Sequence, residues 1–75
     1  MLTLRELAEG EAGIVRRIAL QGAIRRRVLD LGLIEGTKVV CLRKAPSGDP
    51  VIYFFRGTMI ALRRADCGSI FVEGE

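Results

Sequence analysis

Histidine and tryptophan are absent from these 75 residues, cysteine occurs twice and tyrosine once. Without histidine the chain lacks the side chain that most often acts as general acid or base near neutral pH. Ser47 and Ser69 are the only serines, so no nucleophile and base can be paired in named roles, and a domain that binds rather than catalyses is expected. Cys41 and Cys67 are not in a CxxC spacing, and structural zinc usually takes four Cys or His ligands. A small secreted scaffold would carry more cysteines to bridge, so a reducing cytosol is the expected compartment. No apolar run approaches the roughly 20 residues that cross a bilayer, and Met1-Leu2-Thr3-Leu4-Arg5-Glu6 lacks the basic-then-apolar order of a signal peptide.

What is present is aliphatic. Apolar residues make up 49 % of the chain, yet the aromatics are only Tyr53, Phe54, Phe55 and Phe71, so the core must be built from Val, Ile and Leu. A single domain over 1–75 is expected, hiding only about 60–65 % of the surface of its unfolded chain. Twelve Lys and Arg against nine Asp and Glu leave a formal charge of +3. That balance suits nucleic acid, an acidic protein or no partner, but Arg25, Arg26 and Arg27 are consecutive.

No internal repeat, low-complexity tract or linker divides the chain, and glycines separate short elements. Thr3-Leu4-Arg5-Glu6 fits a capping box and marks one helical turn held by Leu4 and Leu7. Ile14 to Leu20 reads as a strand with Ile14, Ile18 and Leu20 on one face, an alternation that Arg16 breaks. Ile24, Val28 and Leu31 recur at i, i+4 and i+7, which predicts a helix from about Ala23 to Leu31. Gly32 closes it, with Leu33 folding back onto Val28 as in a Schellman cap. Thr37 to Lys44 and Val51 to Arg56 read as a hairpin around the loop Ala45-Pro46-Ser47-Gly48-Asp49-Pro50. Thr58 to Leu62 and Ser69 to Glu73 are two more strands, with a polar turn, Arg63-Arg64-Ala65-Asp66, between them. About five strands, with one short helix between the first two, predict a mainly β small barrel that leaves no open sheet edge.

The order Leu29-Asp30-Leu31-Gly32-Leu33-Ile34-Glu35-Gly36-Thr37, then Ala45-Pro46-Ser47-Gly48-Asp49-Pro50, Gly57, Ile60-Ala61-Leu62-Arg63 and Ile70-Phe71-Val72 resembles the FeoA family over nearly the whole chain. Two departures are mild: Glu35 stands where the family often has proline, and Arg27-Val28 where Arg-Leu is common. A similar barrel closes the iron- and manganese-dependent repressors, but no DNA-binding helices precede it here, and the stand-alone length favours FeoA. The resemblance implies an SH3-like barrel in the cytoplasm beside FeoB, the membrane transporter of ferrous iron that carries a GTPase domain. Activation of that GTPase, assembly of the transporter and metal sensing are all roles it would allow.

The candidate partner surfaces are two. If Val39, Cys41, Val51, Tyr53 and Phe55 point inward, as the family pattern implies, alternation sends Val40, Leu42, Ile52 and Phe54 outward, and these are apolar too. Pairing Leu42 with Ile52 and Val40 with Phe54 would gather them on one outer face, for self-association or for FeoB, unless the helix or the N-terminal turn covers it. Arg25, Arg26 and Arg27, in the first turns of the helix, sit near the unfavourable end of its dipole. They form either a solvated face or a site for an acidic partner, and Arg26 can pair with Asp30. The alternatives in other classes are a small basic nucleic-acid-binding barrel using the same arginines, without aromatics among them for base stacking, and a free-standing metal-responsive domain. No resident cofactor is expected. Cys41 and Cys67 read as small buried hydrophobes, leaving only a weak Fe2+ or other transition-metal site at carboxylates such as Asp66 and Glu73. Asp49, in Gly48-Asp49-Pro50, reads as turn chemistry rather than as a phosphate loop.

Overall fold

The computed structural model describes residues 1–74. The chain runs β1 (Leu2–Thr3), a 3-10 turn (Leu4–Glu6), β2 (Ala12–Ile18), α1 (Gly22–Asp30), β3 (Lys38–Lys44), β4 (Val51–Phe55), β5 (Thr58–Leu62), α2 (Arg64–Cys67) and β6 (Ile70–Gly74). The strands form one antiparallel sheet in the order β1-β6-β2-β3-β4-β5. The described residues thus form six strands rather than five. The extra one has two residues and pairs with the far end of the chain, Leu2 opposite Val72 and Thr3 opposite Phe71, so no local pattern announces it. It also places α1 between the second and third strands. The expected polar turn at Arg63-Arg64-Ala65-Asp66 is mostly the helical turn α2.

The expected closed barrel is corrected as well. Among the described residues the ladder is open, with β1 and β5 at its two edges. The sheet is nonetheless curled, because the molecule measures 27 × 26 × 24 Å and every strand from β2 to β6 sends a row into one core. Val15, Val39, Cys41, Val51, Tyr53, Phe55, Ile60, Leu62, Ile70 and Val72 are all buried there. Tyr53, buried on β4, donates its hydroxyl to the Leu4 carbonyl at 3.1 Å and so ties the N-terminal turn to the sheet.

That turn forms as expected around Glu6, whose carboxylate accepts the Thr3 N–H at 2.9 Å and the Thr3 hydroxyl at 3.3 Å. α1 ends in the Schellman arrangement: the Leu33 N–H reaches the Val28 carbonyl at 2.9 Å and the Gly32 N–H the Leu29 carbonyl at 3.0 Å. Gly32 has φ +102°, a conformation that disfavours any side chain. Val28 and Leu33 are both fully buried. Leu31, expected in the apolar stripe, is 38 % exposed because it is the cap residue and Leu33 takes its place in the core. The buried Thr37 then fastens the following loop, its hydroxyl donating to the Gly32 carbonyl and accepting the Ile34 N–H.

In β2 the phase differs from expectation. Val15, not Ile14, faces the core, and a bulge between Val15 and Arg17 resets the alternation so that Ile18 and Leu20 still turn inward. Gly13 leaves no room for a side chain between β2 and β6: a Cβ there would meet Val72 Cγ2 at 3.0 Å and the Glu73 carbonyl oxygen at 3.1 Å. Because one of those neighbours is paired backbone, Gly13→Ala should destabilise by about 1–3 kcal/mol. A lowered denaturant midpoint with unchanged slope would show it, and an unchanged midpoint would mean that β6 can yield.

Candidate functional site

The sheet has two faces, and the one turned away from the core is apolar in its middle. Period-2 alternation puts Val39 and Cys41 of β3 and Val51, Tyr53 and Phe55 of β4 in the core, as expected, and turns Val40, Ile52 and Phe54 outward. Val40 and Ile52 are half-buried, Phe54 is 39 % exposed and Leu42 is 42 % exposed.

The expected pairing holds for Val40 and Phe54 but not for Leu42 and Ile52. A bulge between Cys41 and Arg43 takes Leu42 out of the ladder, and Arg43 stands opposite Ile52. An apolar partner is thereby replaced by a cation. The face also extends further than expected. Ala12 of β2 pairs with Val40, Val40 with Phe54, and Phe54 with Met59 of β5, so one register row crosses four strands. Met59 is 68 % exposed and Ala61, opposite Ile52, is exposed too. Neither was named among the sequence candidates, although the alternation of Thr58 to Leu62, with Ile60 and Leu62 inward, would have found both. Leu4 and Val28 show that the N-terminal turn and α1 pack on the core side, leaving these outer side chains open. Gly36, Thr37, Val40, Phe54 and Arg56 help to line a shallow groove of about 370 Å³ at one end of the row.

Of the arginine triplet, one member has hydrogen-bond partners among the described residues. Arg25 donates to the Ile18 carbonyl at 2.7 Å and to the Leu20 carbonyl at 3.4 Å, which makes it a strut between α1 and the end of β2. Arg26 and Arg27 are exposed, beside Ala23, Asp30 and the exposed Leu31, but no ion pair joins Arg26 to Asp30. α1 has only nine residues, so Arg27 belongs to its last turn, where a cation is favourable. Arg25 and Arg26 line one groove over α1 and Arg26 and Arg27 another, and the groove over Val40 and Phe54 shares no residue with either.

The thiols are interior. Cys41 and Cys67 are free and fully buried, and burial pushes both thiols up from their ordinary value. Burial likewise raises the Tyr53 hydroxyl. Among the described residues no three Cys, Asp or Glu side chains converge as a metal set. Glu73 is held by Arg16 at 3.3 Å. Asp49 does not fold onto its own turn: its carboxylate accepts the Arg64 N–H at 3.0 Å and caps α2.

Residues 2–74 match the model of the FeoA domain family. A fusion protein of Fe(2+) transport protein A and the Fe(2+) transporter FeoB from Porphyromonas gingivalis is 33 % identical over 72 residues, 96 % of this chain. The chain spans only 8 % of that relative's length. The solution structure of a FeoA protein from Chlorobium tepidum superposes with a TM-score of 0.93 at 38 % identity, covering 97 % of this chain and 70 % of that one. A zinc complex of FeoA from Stenotrophomonas maltophilia, described as a prokaryotic SH3 domain protein, gives a TM-score of 0.83 at 30 % identity over 97 % and 91 %.

Proposed function

The chain belongs to the FeoA family, and from that premise we propose that it is a non-catalytic adaptor that docks on the cytosolic part of FeoB and adjusts ferrous-iron transport or GTP turnover. The observation that carries this reading is the Porphyromonas gingivalis relative, in which a domain matching 96 % of this chain is joined to FeoB in one polypeptide. Covalent linkage raises the effective concentration of two modules that must meet. The open apolar row from Val40 to Met59 supplies the kind of surface that such a meeting requires. An adaptor of this kind works at the cytoplasmic face without entering the bilayer. None of the described helices is long and apolar enough to cross a membrane.

The test is direct. FeoB from the same cell should retain this chain on co-purification, and deleting the chain should lower iron uptake or change GTP hydrolysis by FeoB. A FeoB preparation that neither binds the chain nor responds to it would end the adaptor reading.

A further inference from the structure

We propose that the outer face of β3, β4 and β5 is the docking surface for an acidic amphipathic segment of the partner, an inference that rests on the adaptor reading above. Its apolar centre is Val40, Phe54 and Met59 in one register row, with Ile52 and Ala61 in the next. Its rim is cationic. Arg43 lies opposite the outward Ile52 and so leaves the sheet on the same side. Arg63 follows the inward Leu62 in extended conformation, which carries the alternation one residue further and turns it outward. Arg56, at the turn from β4 to β5, lines the groove with Val40 and Phe54.

All three arginines are exposed, and none of their guanidinium groups has an ion-pair or hydrogen-bond partner among the described residues. β3, β4 and β5 contain no Asp or Glu at all. An apolar centre edged by unpartnered cations fits side chains of the opposite character, apolar along one stripe with carboxylates beside it. The same charges disfavour a second copy, because a face-to-face pair would bring like cations together with no carboxylate on either face, each chain already carrying +3.

The experiment titrates the cytosolic portion of FeoB into the full chain and into three variants, each first checked by thermal melt. Met59→Glu places a carboxylate in the apolar row at a side chain that is 68 % exposed, so the fold should not change. It should weaken binding about tenfold or more. Arg43→Glu combined with Arg63→Glu should weaken it several-fold at about 50 mM salt and flatten its salt dependence. Arg26→Glu, on α1, should bind as the unaltered chain does. If the unaltered chain binds and the Met59 and Arg43/Arg63 variants bind equally well, the docking face is wrong while the adaptor reading stands. If the unaltered chain does not bind at all, the adaptor reading fails and this inference falls with it. A dimer of the free chain that Met59→Glu disperses, or Met59-dependent binding to phosphatidylglycerol vesicles, would assign the face to a different occupant and overturn the proposal.

Discussion

Phe55→Ala should lower the melting temperature steeply, while Phe54→Ser, one residue earlier, should scarcely move it. Phe55 is 1 % exposed in the core and Phe54 is 39 % exposed on the outer face. Truncating a buried phenylalanine costs about 3–5 kcal/mol through lost burial and the cavity left behind. A domain of this size has roughly 5–10 kcal/mol in total, so about a third of its stability or more would go. Phe54 loses contacts with Val40 and Met59 on a wet surface, a change of about 1 kcal/mol. A thermal melt beside a sizing column separates the two. Cooperative unfolding of the Phe54 variant at the same low temperature as the Phe55 variant would show that the outer face is covered in solution.

The second large effect is alkaline. Cys41, Cys67 and Tyr53 are buried as neutral groups, and burial raises all three above their ordinary values of 9.0, 9.0 and 10.0. In the unfolded chain the thiols ionise from about pH 9 while the folded chain keeps its protons. A group raised on folding contributes its full stability below the unfolded pKa and loses it as pH rises from there towards the folded value. Each such group removes about 1.4 kcal/mol per pH unit once the solution is above its unfolded pKa. The melting temperature should therefore be flat up to about pH 8.5 and fall steeply beyond about pH 9. Cys41→Ala and Cys67→Ala, each less stable at neutral pH, should each show a shallower fall. A melting temperature that holds level through about pH 10.5 would mean that the thiols ionise freely in the folded protein.

Much of this was open to reading from the residues in order. The Schellman close at Gly32, the β3 to β4 hairpin and its inner row depend on neighbours a few residues apart, and they appear as expected. The outer candidates Val40, Ile52 and Phe54 follow from the same alternation. Two bulges defeated the register of β2 and β3, since an extra residue in one strand shifts every later pairing without changing composition. That is why Arg43 rather than Leu42 faces Ile52, and why Val15 rather than Ile14 enters the core.

By itself the sequence determined the class of this protein. A chain with no histidine, an aliphatic core and glycine-punctuated strands makes a small β domain, and its block order resembles FeoA, because composition and periodicity act locally and along the chain. Tertiary structure alone decided which charges remain available. Arg25 donates to the Ile18 and Leu20 carbonyls, whereas Arg43 meets Ile52 across the ladder and Arg56 meets Val40 and Phe54 in the groove. Long-range strand pairing sets that meeting, and pairing across β2, β3, β4 and β5 joins residues as far apart as Ala12 and Met59 whose nearness no local pattern encodes.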